Sequence, residues 1–291
     1  MAARSDETFR RAVVAAGGFG TRLLPATQAV PKALLPIVDR PLLQYALEEL
    51  ARAGFDEIAV LARPEHYALA DHLRPPEPLR GHLERRGEAH RAWSPDDAGS
   101  VLHLFPTSSE TMGLGGQLLE LAGFIADQPF ALVFPDELCG PESSPWEGLR
   151  EVYGRRGGMV AAVWGTDPLP DEWRVSSYRP LDDRPSSSRA PGAQPPGTAR
   201  VIGRYLCSPG VLPLLERLRE RSGTPLGIND LLAATAGLGA LTACRFHGRW
   251  WDCGDRLGYL SAVLSLSLEH EELGPHLSEL ASELAGGVVR P

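Results

Sequence analysis

Short apolar runs recur along this chain with helical patterns between them, and this alternation constrains the fold more than any other feature. Ala12 to Ala16, Glu57 to Ala62, Val101 to Phe105, Phe130 to Phe134, Met159 to Trp164, Val201 to Cys207 and Leu241 to Phe246 are strand-length and largely apolar. Runs of that kind suit strands buried on both faces, as in parallel sheets covered by helices. The segment opening at Pro41 sets Leu42, Leu43, Ala46, Leu47 and Leu50 on one helical stripe and stops at Gly54. A second helix is expected from about Asp255 to Leu268, with Leu257, Leu260, Val263, Leu264 and Leu268 along one side. The expected fold is α/β: a doubly wound, mainly parallel sheet flanked by helices, in a single domain over residues 1–291.

Charge and composition exclude several classes of function. The chain has 29 basic against 37 acidic residues and a formal net charge of -8, opposite to what binding nucleic acid by charge requires. No apolar run approaches the roughly 18 residues of a membrane helix, so no membrane partner is expected. Arg10 and Arg11 before Ala12 imitate a signal peptide, but the apolar part is short and runs into a glycine loop, which reads as a first strand. Cys139, Cys207, Cys244 and Cys253 are widely spaced and suggest neither a zinc site nor a disulfide framework, so a reducing cytoplasm is expected. Residues 179–200, with five prolines, four arginines and Ser186 to Ser188, read as a mobile insertion. Residues 271–291 read as a terminal helix and tail, with Leu277, Leu280 and Leu284 at helical spacing. Packing on the chain's own domain is expected there, with a homo-oligomer contact as the alternative.

The chemistry-bearing stretch follows the first strand. Gly17-Gly18-Phe19-Gly20-Thr21-Arg22 lets backbone come close to a ligand and turns N–H groups toward phosphate oxygens. It has neither the third glycine of a dinucleotide fingerprint nor the ending of a Walker A loop, and alone it is a weak signal. Ten residues beyond Arg22, Lys32 stands between Pro31 and Pro36. It is the chain's one lysine, against 28 arginines. Lysine carries a compact charge that meets a single phosphate oxygen end-on, whereas arginine presents a flat fork.

The whole stretch Gly17 to Pro41 resembles the sugar-1-phosphate nucleotidylyltransferases, and within them the bacterial UTP:glucose-1-phosphate uridylyltransferases. Its motifs are Gly-x-Gly-Thr-Arg, Leu-Pro-Ala-Thr, Pro-Lys-x-Leu-Leu-Pro and Asp-Arg-Pro-Leu-Leu-Gln-Tyr. Gly113-Leu114-Gly115, Phe134-Pro135-Asp136, Val201 to Tyr205 and Asp252 to Leu260 extend the likeness, in order, over nearly the whole chain. The resemblance implies a Rossmann-like nucleotidyltransferase fold and a reaction in which a sugar 1-phosphate attacks the α-phosphorus of a nucleoside triphosphate and pyrophosphate leaves. It implies Mg²⁺ held by Asp136 and Asp252, and catalytic roles for Arg22 and Lys32. It further implies nucleotide contacts from Ala16, Gly17, Gly18, Gly20, Thr21, Gly113 and Gly115.

Other positions depart from the family pattern. Ser108 stands where a base-reading glutamine is expected, and Gly116 replaces a histidine. On the acceptor side, Trp173-Arg174 replaces a Tyr-Gly pair, Thr198 replaces an asparagine, and a Glu-Lys-Pro motif has no clear counterpart, with Asp183-Arg184-Pro185 a remnant inside the insertion at too long a spacing to Gly203. Three readings stand at this point: transfer from UTP to glucose 1-phosphate; the same chemistry with another base or a modified-sugar or cyclitol phosphate; and a nucleotide-binding regulator without turnover.

Overall fold

The computed structural model describes residues 9–89, 92–93, 99–107, 113–178 and 198–285. Its strands are β1 (Arg11–Ala15), β2 (Pro36–Ile37), β3 (Arg40–Pro41), β4 (Glu57–Ala62), β5 (Val101–Pro106), β6 (Phe130–Val133), β7 (Glu137–Cys139), β8 (Met159–Gly165), β9 (Glu172–Val175), β10 (Ala199–Cys207), β11 (Leu241–Arg245) and β12 (Trp250–Asp252). Eight of them form one sheet in the order β5-β4-β1-β6-β10-β8-β11-β9. Strands β5, β4, β1 and β6 pair in parallel, β10 runs antiparallel to β6 and β8, β8 and β11 are parallel, and β9 closes the edge antiparallel to β11. The order changes direction beside β1, and the carboxyl ends of its four parallel strands open on one side, where α/β sheets hold their ligands.

The helices among the described residues are α1 (Leu42–Arg52), α2 (Tyr67–Leu73), α3 (Glu77–Arg86), α4 (Gly113–Glu120), α5 (Ala122–Ile125), α6 (Trp146–Arg156), α7 (Val211–Ser222), α8 (Ile228–Gly237), α9 (Arg256–Glu269) and α10 (Leu273–Ala285). Alternate residues of the central strands point to opposite faces. Ala12, Val14, Val60 and Val133 meet Leu43, Leu47 and Leu50 of α1 and Trp146 and Leu149 of α6. Val13, Leu61 and Leu132 meet Leu118 of α4, Leu215 of α7 and Leu232 of α8. This two-sided burial is why the apolar runs are continuous and why they were legible as strands.

A third apolar group, with Ile37, Leu42, Leu138, Cys253, Ala262 and Leu266, pins α9 and the β7–β12 ribbon over the sheet end. The leucine stripe expected to bind α9 lies on the wrong side. Leu257, Leu260, Leu264 and Leu268 are exposed, while Ala262, Leu266 and Ser267 face inward. Two fixed points set that rotation: Asp255 caps the helix by accepting from Gly258 N at 2.9 Å, and Tyr259 Oη donates to Pro36 O at 2.7 Å. Helix α10 packs on α9 with Leu277 half-buried and Leu280 and Leu284 exposed. Of the expected insertion, Ala199 and Arg200 belong to β10, and 179–197 lie outside the described residues. No described helix is long and apolar enough to cross a membrane.

Candidate active site

A cleft of about 500 Å³ lies across the carboxyl ends of β1, β4, β5 and β6. Its lining includes Gly17, Gly18 and Phe19 after β1, Arg63 after β4, Thr107 after β5, Phe134 after β6, and Gly113 and Gln117 at the start of α4. Each strand runs straight into a loop segment that faces the same space. Gly17, Gly18 and Gly113 put no side chain into that space, which allows phosphate oxygens to approach the backbone closely.

The glycine loop is shaped for that approach. Gly20 adopts a left-handed conformation, φ 66°, and Thr27 Oγ1 donates to its carbonyl at 2.7 Å. A Cβ on Gly18 would come to 3.3 Å from Lys32 Cε, so the lysine stem lies directly against the loop backbone. Its ammonium bonds Asp136 Oδ2 at 2.5 Å, with only 15% of the lysine side chain and 6% of the aspartate side chain exposed. Residues 104 positions apart are thus in contact at the cleft mouth.

Asp252 closes the other side. Arg22 Nη1 and Nη2 donate to its two oxygens at 3.1 and 3.4 Å, and Gly254 N donates to Oδ1 at 3.0 Å. Cys253 N donates to Asp136 O at 2.7 Å, tying the two aspartate-bearing segments together. A Cβ on Gly254 would sit 2.5 Å from Arg22 Nη2, 2.7 Å from Asp136 Oδ2 and 3.0 Å from Asp252 Oδ1. A side chain there fits only if the Arg22 guanidinium and the Asp136 carboxylate are pushed aside.

Burial, followed by the neighbouring Asp136 charge, raises Asp252 above the usual carboxylate range despite Arg22. Glu137 lies next in the chain and opposite Asp252 in the β7–β12 ribbon, and it accepts from Trp250 Nε1 at 2.7 Å. Its carboxyl is pushed up to about 8 by burial and by Asp252 and Asp136. Among the described residues, Asp136 Oδ1 is buried without a hydrogen-bond partner. Crowded oxygens of this kind, one of them unpartnered, fit a hard divalent cation. Among the described residues no three His, Cys, Asp or Glu side chains are arranged to hold a metal, so the fit is to an ion completed by phosphate oxygens and water, as Mg²⁺ usually is.

A buried ion pair holds the turn before Asp136 from beneath. Arg204 of β10 bonds Glu49 of α1 through Nε and Nη2, both at 2.8 Å, while its Nη1 donates to Phe134 O at 2.9 Å. Trp146 Nε1 gives Glu49 a further donor at 2.7 Å. Burial works against the arginine's charge, and Glu49 outweighs it, holding Arg204 above its ordinary value.

Residues 11–139 match the nucleotidyl transferase family. They carry the glycine loop, Lys32 and Asp136. The chain is 28% identical to the UTP–glucose-1-phosphate uridylyltransferase of Bacillus subtilis strain 168 over 279 residues, covering 92% of this chain and 94% of that one. The UTP-bound UGPase from Acinetobacter baumannii superposes with a TM-score of 0.74 at 25% identity, covering 95% of this chain and all of that one. UDP-glucose pyrophosphorylase from the same organism superposes with a TM-score of 0.76 at 22% identity and the same coverage.

The structure brings Gly17, Gly18, Lys32, Gly113 and Phe134 to one cleft, with Asp136 paired to Lys32 and Asp252 paired to Arg22 beside it. Ala16 is fully buried, its N–H donating to Val14 O and Leu61 O, so its side chain does not line the cleft; Ala15 does. Thr21 opens an exposed turn. Gly115 is buried under Leu226, to whose carbonyl its N–H donates at 2.9 Å. On the acceptor side, Thr198 lies at the carboxyl end of β8, its carbonyl accepting from Thr166 N at 3.1 Å. Trp173 and Arg174 sit on edge strand β9, and Arg174 donates to Gly239 O, at the amino end of β11 and therefore away from the cleft. Ser108 and Arg184 lie outside the described residues. Thr107, Gln117, Arg63 and the Glu49–Arg204 pair were not anticipated. The last joins positions 155 residues apart, a pairing that no local pattern reveals.

Proposed function

We propose that the protein transfers the uridylyl group of UTP to glucose 1-phosphate, forming UDP-glucose and releasing pyrophosphate. The observation that carries this reading is the meeting of the single lysine, two aspartates and Arg22 at the glycine-loop cleft. The likeness to the Bacillus uridylyltransferase supports the choice of substrates.

A phosphate oxygen is already anionic near neutral pH and needs no general base, so the residues act by positioning and by neutralising charge. The amides of Gly18 and Gly20 face the triphosphate. Lys32 leaves Asp136 for a phosphate oxygen as charge builds on the departing pyrophosphate, and the half-exposed Arg22 swings from Asp252 to the same group. Asp136 and Asp252 would hold Mg²⁺, which supplies charge neutralisation and alignment of the phosphates. The acceptor enters beside the carboxyl end of β8, near Thr198. All four cysteines are buried free thiols, which supports a reducing compartment, the cytoplasm.

The test is incubation of purified protein with Mg²⁺, UTP and glucose 1-phosphate, with UDP-glucose and pyrophosphate measured separately. Equal amounts of both are expected. Product formed only with another triphosphate or acceptor would replace the substrate assignment. Tight triphosphate binding without any product would favour a non-catalytic nucleotide binder.

A further inference from the structure

The cleft extends from Lys32 and the glycine loop to a second polar end formed by Thr107, Gly113, Leu114 and Gln117. If phosphates lie at Lys32, the nucleobase lies toward that second end, and the polar side chains there have unequal freedom. Thr107 is buried, and its hydroxyl donates its one hydrogen to Ala62 O at 3.1 Å. Arg63 stacks on the Phe19 ring at 3.7 Å and bonds Glu65. Gln117 donates through Nε2 to Thr107 Oγ1 at 3.3 Å. It also borders Gly17, where a Cβ would lie 3.6 Å from Nε2.

This chain of bonds fixes which way the Gln117 amide faces. The Thr107 hydrogen is committed to Ala62, so Oγ1 can only accept, and the amide must turn its NH₂ to Thr107. The carbonyl Oε1 then points away from Thr107. Uracil and thymine carry a ring N–H at N3 and guanine at N1. Cytosine and adenine carry a lone pair at the corresponding atom, which opposes a carbonyl oxygen.

We propose that Gln117 selects the nucleobase, its Oε1 accepting from the ring N–H of an imide-type base, with Thr107 as the positioning residue that holds the amide in that orientation. The inference rests on the nucleotidyl-transfer reading for where the base lies.

The test compares kcat/KM for UTP and CTP at fixed glucose 1-phosphate in wild type, Gln117→Leu and Thr107→Val. Wild type favours UTP. Gln117→Leu lowers the UTP-to-CTP ratio by about tenfold or more, leaving the KM for glucose 1-phosphate unchanged. Thr107→Val preserves shape and leaves Ala62 O bonded to the residue 107 N–H at 2.8 Å. It frees the amide to turn over and lowers the ratio several-fold. A wild-type preference for CTP, or unchanged ratios in both variants, overturns the inference. If no triphosphate is turned over, the transfer reading fails on its own. The same ratio is then read from equilibrium binding of UTP and CTP, with a fall in Gln117→Leu supporting the inference and an unchanged ratio overturning it.

Discussion

Replacing Arg204 with methionine removes the guanidinium that is 1% exposed between the sheet and α1. Glu49 then keeps Trp146 Nε1 as its remaining side-chain donor, and Phe134 O loses the Arg204 donor. Removing one partner of a buried ion pair costs about 3–5 kcal/mol, a large share of a stability of about 5–15 kcal/mol. At about 2–4 °C per kcal/mol for large domains, the melting midpoint falls by roughly 10 °C. Glu49→Leu strands the guanidinium and costs a similar amount. The double variant removes both charges and costs less than either single change, because no charge is left buried alone. Urea denaturation at neutral pH measures all three. The reasoning is refuted if each single change costs under about 1 kcal/mol, or if the double change costs the sum of the two.

Three further outcomes are expected. Gly254→Ala puts a methyl group between Arg22, Asp136 and Asp252, so turnover drops at least tenfold while circular dichroism stays that of the wild type. Gly113→Ala combines φ 60° with a Cβ 2.6 Å from Leu226 O, and denaturation should show a loss of about 1–3 kcal/mol. Glu137 holds its proton more tightly folded, up to about 8, than unfolded, where its ordinary value is 4.5. Its favourable contribution is therefore complete below pH 4.5 and is lost as pH rises toward 8. In chelator, the stability of wild type relative to Glu137→Gln should fall steadily as pH rises through that window, and parallel pH profiles would count against this.

Strand positions were legible because burial on both faces leaves unbroken apolar runs such as Phe130 to Val133. Edge strand β9 was not, since Glu-Trp-Arg-Val is short, half-exposed and charged, like a loop. The leucines of α9 misled for a related reason: helical spacing shows that a stripe exists, while the Asp255 cap and the Tyr259 bond to Pro36 decide which stripe turns inward. At the site, Lys32 stood out as the chain's one lysine, and Asp136 and Asp252 through the resemblance of their flanking motifs to the sugar-1-phosphate nucleotidylyltransferases. The partners that orient them did not, because Arg22 and Asp252 meet across 230 residues of chain. Gln117 was hidden on a helix whose neighbours read as packing residues.

The central claim is that Lys32 neutralises charge on the triphosphate at this cleft, and Lys32→Ala tests it most directly. Initial rates of UDP-glucose formation should fall by about 10²-fold or more in kcat, with UTP still bound and the fold retained by circular dichroism. A folded Lys32→Ala protein that forms UDP-glucose at the wild-type rate would contradict the account.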